Sequence, residues 1–328
     1  MQTTKGVFKD VVDATVRALY DRSAQEQSTD LYYQKLGLTD YEPDVPGEVL
    51  NDLSGPTAAS LSGEGQEYPM ITKVNGYSVT LTMRKYAFHL VYTEEDMHWI
   101  AKSASSKRMT QVSNAIKGAV QSLNYRVNLD TTKVFYLGFG STFLTVGNSE
   151  TLFGSHTIKV DTSSQLNTFA SGDTQRPLSA TALVDAIAIM NRFKSHNGDQ
   201  LLPVRSLKLI VAPEKIAEAN RIIASDYGPD TPNLGVSASS TASLAKRGIS
   251  IQAQEIPNIP YAYRNYWFLS ETNRAAERAF MAWGWKPRMN DDYEYHNGTL
   301  HEFGSVLFGP VVLGWQWAFG SIGNSAAI

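Results

Sequence analysis

From Met109 to Val127 apolar residues return every three or four positions, at Met109, Val112, Ile116, Ala119, Leu123 and Val127, while Gln111, Asn114, Lys117 and Gln121 take the other faces. That spacing predicts the longest helix of the chain, with one apolar stripe to bury. Gly118 costs such a helix about 1 kcal/mol relative to Ala, which marks it as a close packing contact. Just upstream the period is two. Tyr77, Val79, Leu81 and Met83 face one way and Ser78, Thr80 and Thr82 the other, which predicts a strand. The alternation resumes out of phase at Tyr86, Phe88, Leu90 and Tyr92, so one extra residue, a bulge or bend, is expected near Arg84 and Lys85. Asn75-Gly76 offers a tight hairpin turn before this strand, and Gly63, Gly65 and Pro69 offer a wider tip further back; local chemistry leaves both open. Thr93 ahead of Glu94, Glu95 and Asp96 reads as a helix N-cap with acids in the first turn.

Elsewhere the pattern alternates between the two periods. Val7 to Arg22 predicts a short amphipathic helix. Gln25 to Ser62 is polar and irregular, broken by Pro43, Pro46, Gly47, Gly55 and Pro56, and reads as an arm that must lie on another surface, such as a neighbour. Helices are expected over Thr181–Lys194 and Pro213–Ser225, with Pro213 at the first helical position and a strand at Leu207–Val211 between them. Asp226 to Arg247 reads as a surface loop. Ile249–Ile256, Tyr266–Leu269, Ala279–Trp285 and Glu302–Phe319 are the remaining strand candidates, and a mixed α+β fold results.

Composition removes several chemistries. With 29 Lys and Arg against 32 Asp and Glu, scattered without like-charge blocks, the 328-residue chain shows no basic footprint of a specific nucleic-acid binder. The absence of Cys excludes disulfides, thiolate metal sites and cysteine nucleophiles. Met1–Tyr20 lacks the apolar core of a signal peptide. Val306–Phe319, interrupted by Gly309, Pro310 and Gly314, falls short of the roughly 18–20 residues that span a bilayer. Asp291, Asp292, Glu294, His296, His301 and Glu302 are the one grouping that suggests a metal. It contains no HExxH pair, and Asn297-Gly298 separates the histidines, so a polar turn between strands is the better reading. Gly138–Ser141 and Gly147–Ser149 lack the Lys of a phosphate loop and read as turns; Glu94–Asp96 reads as helix capping. Trp283, Trp285, Trp315 and Trp317 make a stacking face if exposed and a core or subunit interface if buried; burial is expected. No catalytic, cofactor-binding or metal-binding residue is assigned, no cofactor is expected, and the chain is not read as an enzyme.

The order of these parts resembles tailed-bacteriophage major capsid proteins of the Hong Kong 97-type fold, most of all the Mu-like major head subunit group. The resemblance runs over nearly the whole chain. It rests on the strand ending Ala87-Phe88-His89-Leu90-Val91-Tyr92-Thr93-Glu94-Glu95, the long helix, Leu152-Phe153-Gly154-Ser155-His156, and His196-Asn197-Gly198-Asp199-Gln200-Leu201-Leu202-Pro203. Leu207–Pro213, Ala219–Ser225 and Tyr266-Trp267-Phe268-Leu269 follow in the same order. The family's Asp-Gly before Leu-Phe appears here as Gly147-Asn148-Ser149.

The resemblance implies an N-terminal helix and arm over residues 1–47, an extended loop over 48–92 with its tip near Gly63–Pro69, and a peripheral domain with a spine helix over 93–178. It further implies an axial domain over 179–260 and return strands of the peripheral domain over 261–328. It implies self-assembly into hexamers and pentamers of an icosahedral shell around double-stranded DNA, which is contacted non-specifically. Portal, scaffold and decoration proteins are the implied partners, with no membrane, and the chain is placed in the virion after assembly in the bacterial host cytoplasm. With a helix so near Met1, no long scaffolding segment is expected in this chain, and any trimming is expected to be short. The alternatives are an encapsulin-like compartment shell and a carbohydrate-active hydrolase using the aromatic and acidic residues between Trp283 and Glu302.

Overall fold

The computed structural model describes residues 17–18, 20–22, 31–56, 73–96, 107–160, 162–169, 176–224, 248–294 and 296–323. In chain order these form α1 (Tyr33–Leu36), β1 (Thr39–Tyr41), β2 (Val49–Pro56), β3 (Lys73–Thr80), β4 (Arg84–Tyr92) and α2 (Lys107–Tyr136). Next come β5 (Ser155–Thr157), β6 (Ser164–Leu166), α3 (Ala180–Met190), β7 (Ser206–Val211), α4 (Ile216–Ala224) and β8 (Ser250–Glu255). The chain closes with β9 (Trp267–Glu271), α5 (Thr272–Arg278), β10 (Ala279–Glu294), β11 (Thr299–Val312) and β12 (Ala318–Ser321). The fold is α+β.

Two four-stranded sheets organise it, one in the order β1-β10-β11-β4 and the other β12-β9-β7-β8. The 30-residue α2 serves both. Its Ile116 and Val120 pack with Tyr20, Tyr92 and Leu300 against the first sheet. Its Leu123, Val127, Val134 and Phe135 enter the main core. There Phe135 lies 5.5 Å from the Phe268 ring and 5.9 Å from that of Trp317. Beyond Val127 the helix buries Thr131, whose polar need is met within the helix, its Oγ1 donating to the Val127 carbonyl at 2.8 Å. Val120, fully buried, carries the stripe where Ala119 was expected to. Gly118 is exposed, with nothing within 4 Å of where its Cβ would be, so the expected packing contact is not there.

The alternating stretch resolves differently from expectation. Tyr77–Tyr92 is not one bulged strand: β3 pairs with β2, whereas β4 pairs with β11 in the first sheet. The phase change marks the passage between sheets. The buried Leu81 pins that passage against Ala282, Val311 and Leu313. Asn75-Gly76 lies inside β3 and makes no turn. The Gly63–Pro69 tip, the Asp226–Arg247 loop and most of the Val7–Arg22 helix lie outside the described residues.

The arm is corrected too. Tyr33, Leu36 and Leu38 are 4%, 0% and 1% exposed in the chain's own main core. β1 then adds a parallel edge to β10, with Asp40 opposite Met281 and accepting from the Trp283 indole at 2.6 Å. Residues 31–41 therefore cover their own subunit. Remaining differences are at boundaries. α3 stops at Met190, Pro213 opens a 3-10 turn ahead of α4, β10 continues to Glu294, and the Glu302–Phe319 run divides into β11 and β12. Residues 261–328 feed both sheets, β10 and β11 in one and β9 and β12 in the other.

Candidate functional site, a buried clamp beneath the ribbon

The antiparallel ribbon β2–β3 is rooted where three distant parts of the chain meet. Asp52 on β2 is 2% exposed, and its two carboxylate oxygens are shared. Arg278 Nε, at the end of α5, donates to Oδ1 at 3.2 Å, and His196 Nε2 stands 3.2 Å from Oδ2. All three groups are buried. An isolated carboxylate there would be costly, and the two partners make it tolerable. Burial pushes the Asp52 carboxyl up, but the His196 hydrogen bond and the Arg278 charge outweigh it and hold the group below the usual carboxylate range.

Each partner is positioned by local structure. Arg278 is fixed through its carbonyl, which accepts from Leu313 N at 2.8 Å. At the other end of the helix, Glu271 caps α5 by accepting from Arg274 N at 2.6 Å. The Arg274 guanidinium, pulled down to about 10 by burial, donates to the carbonyls of Met190, Leu202 and Gln316 and ties α3 to the C-terminal strands. His196 sits in a tight turn closed by Ser195 N to Asp199 O at 2.8 Å, with Gly198 at φ 91°. The Tyr77 ring stands edge-on to the imidazole at 5.2 Å. Lys159 Nζ donates to the Gly76 carbonyl at 3.0 Å.

Space is as tight as charge. A Cβ on Gly76 would meet Asp52 O and His196 Cδ2 at 2.8 Å, and one on Gly147 would fall 2.1 Å from Tyr77 Cβ. Only hydrogen fits at either position. A second imidazole is buried nearby. His156 lies parallel to Trp315 at 4.6 Å, with Nδ1 3.1 Å from Glu150 Oε2 and Nε2 3.2 Å from Asn167 Oδ1. Burial pulls His156 below the ordinary imidazole range, against the opposing pull of Glu150. Both histidines are held by carboxylates within the packed body. The arrangement joins the ribbon, α5 and the turn after α3 through one buried carboxylate.

The residues singled out in the sequence are dispersed. Asp291 pairs with Glu302 and Asp292 with His301 across β10 and β11, so the alternation sends the two pairs to opposite faces of the sheet. Glu302 is buried. Of the grouping, the structure brings only His301 and Glu294 together among the described residues, Nε2 to Oε2 at 3.5 Å; the other ring nitrogen of His301, Nδ1, lies 2.8 Å from His89 Nε2, beside the Phe303 ring that stacks on His89 at 4.5 Å. Residues 296–298 form the expected turn, and among the described residues no three His, Asp or Glu side chains are placed to hold a metal. Gly138–Ser141 is the turn that ends α2, and Gly147–Ser149 a 3-10 turn. Thr93 Oγ1 accepts from Asp96 N at 3.3 Å as the capping reading required. Trp283, Trp315 and Trp317 are 3%, 2% and 0% exposed, and the half-buried Trp285 donates to Ser305 Oγ at 3.2 Å, so these rings form no open stacking face.

Sequence reasoning did not find Asp52 or Arg278. They are 226 positions apart, and neither stands in a motif. His196 was quoted only as part of the resemblance.

No protein-family profile matches the sequence, and no curated protein does. Among solved structures, the chain is similar to the capsid of a native GTA particle, at 12% identity over 88% of this chain and 89% of that one, TM-score 0.48. It is similar to the capsid of Myoviridae phage XM1, at 10% identity over 89% and 92%, TM-score 0.48. It is also similar to a virus-like particle from Pyrococcus furiosus, at 9% identity over 93% and 97%, TM-score 0.43.

Proposed function

We propose that this chain is the major capsid protein of a tailed bacteriophage, a Hong Kong 97-type subunit that assembles with copies of itself into an icosahedral shell around double-stranded DNA. One observation carries the reading: the parts named by the sequence resemblance occur in the predicted order and pack as one body. A ribbon precedes a long helix, which lies on the first sheet; α3, β7 and α4 follow, with β7 in the second sheet, and the last strands return to both sheets. In this reading α2 is the spine and the first sheet belongs to the peripheral domain. Residues 179–260 form the axial domain, completed by β9 and β12. Residues 48–80 form the extended loop, and β4 is already part of the peripheral sheet.

The modest net charge of −3 suits a shell that must hold packaged DNA without gripping it. The subunit works by assembly rather than by turnover, in the virion, after assembly in the host cytoplasm. Portal, scaffold and decoration proteins are its further partners. The likeness to the Mu-like head subunits belongs to this proposal as well. Sedimentation of the purified chain tests it. Megadalton particles are expected, and a chain that stays monomeric at every concentration and salt contradicts it. Particles filled with an enzyme instead of DNA would favour the compartment shell.

A further inference from the structure

Of the described histidines, His156 and His196 are buried against carboxylates, and His296 stands exposed in the turn before β11. His89 and His301 differ. They lie 212 positions apart in sequence and on adjacent strands, with Phe303 opposite His89 and Val91 opposite His301. Phe88, Leu90, Tyr92 and Leu300 turn to α2, so the alternation sends both histidines to the other, solvent-facing side of the sheet. There His89 Nε2 and His301 Nδ1 are 2.8 Å apart, closer than two lone pairs tolerate, and one proton lies between them.

The surroundings hold both rings. Phe303 lies flat against His89, 7° from parallel at 4.5 Å. His301 Nε2 is 2.9 Å from Thr299 Oγ1 and 3.5 Å from Glu294 Oε2. A carboxylate only accepts, so Nε2 keeps its hydrogen and Nδ1 is the nitrogen of His301 left to accept. Metal-ligating histidines are oriented in this way, their second ring N–H donated to a carboxylate or another oxygen.

We propose that His89 Nε2 and His301 Nδ1 bind one borderline divalent cation of the Zn2+, Ni2+ or Cu2+ class in place of the shared proton. Glu294 and Thr299 are the outer partners of His301, and water fills the remaining positions. The site is not the acidic grouping seen in the sequence, from which it takes only His301 as a ligand. Imidazole nitrogen suits these ions, whereas Mg2+ and Ca2+ call for oxygen. Metal–nitrogen bonds of about 2.0–2.1 Å at a tetrahedral angle hold their nitrogens about 3.4 Å apart, so the rings must part by about half an ångström. His89 is exposed and free to make that move. Because β4 is an edge strand of its sheet, the ion staples that edge to β11.

Binding of Zn2+ alone to the untagged, full-length, unassembled chain tests it. The tightest site is expected to take one ion per chain. His89→Ala and His301→Ala should each weaken it at least about tenfold, since even the outer partners of a ligating histidine are worth that much, and His296→Ala should leave it within about twofold. Zn2+ should also raise the urea midpoint of the wild-type chain and leave that of His89→Ala where it is. Cu2+ reads the ligands without any substitution: its electron paramagnetic resonance spectrum should show coupling to two imidazole nitrogens. A wild-type chain that binds no Zn2+, an affinity unchanged in both histidine variants, or a Cu2+ spectrum with fewer than two imidazoles overturns the site. The measurement needs no particle, so failure to form shells leaves it standing.

Discussion

Arg278→Met isolates the contribution of the clamp. The substitution keeps most of the apolar stem and removes the charge, leaving the Asp52 carboxylate 2% exposed with only His196 beside it. Breaking a buried pair from one side costs about 3–5 kcal/mol, because the remaining charge has lost its compensation. For 328 residues, at about 2.1 cal/mol/K per residue, the unfolding entropy is about 0.7 kcal/mol/K, so a chain unfolding as one unit should melt about 4–7 °C lower. Asp52→Asn should cost less, since its amide can still accept from Arg278. In the double variant the two costs should fall short of their sum by about 2 kcal/mol or more. Urea unfolding of the unassembled chain, followed by tryptophan fluorescence, supplies all three values. A loss below about 1 kcal/mol for Arg278→Met, or two costs that simply add, would refute the reasoning, because the carboxylate would then be compensated by something other than the guanidinium.

Further outcomes follow from the same packing. His156 is depressed below its ordinary value of 6.5 and Asp52 below 3.8, so each lends stability above those values and loses it as pH falls through the folded-state value. The urea midpoint should therefore decline in two stages on acidification, below about 6.5 and again at strongly acid pH, and His156→Phe should remove the first stage. A flat midpoint down to the second stage in the wild-type chain would contradict this. Gly118→Ala, on an exposed helical surface with free space around it, should stabilise by about 0.5–1 kcal/mol in the same assay. Gly309→Ala, whose Cβ would fall 2.2 Å from the Thr82 carbonyl, should destabilise by about 1–3 kcal/mol; if the two substitutions behave alike, the described close approach of β11 to the inter-sheet passage is wrong.

The sequence displayed what periodicity can display. A helix with one buried face leaves a signature in adjacent residues, and α2 and α3 were legible for that reason; β7, β8 and β9 were legible as short runs of β-favouring residues, β9 being buried along its whole length. The phase change at Arg84 and Lys85 was visible, but a bulge and a crossing between sheets write the same pattern; only the pairing of β4 with β11 distinguishes them. The arm was misread because Tyr33, Leu36 and Leu38 reach the core from within a polar segment too short to show a period. The clamp was illegible for a different reason. Asp52, His196 and Arg278 are ordinary residues in their local contexts, and what makes them a unit is a tertiary meeting of three segments that no spacing records.

The central claim is that the chain builds a closed shell. Cryo-electron microscopy of the purified full-length protein tests this most directly. Hollow icosahedral particles are expected, with subunit density that shows α2 lying on the first sheet and the β2–β3 ribbon leaving the body at Asp52. Dispersed single subunits, under every condition that leaves the chain folded, would contradict it.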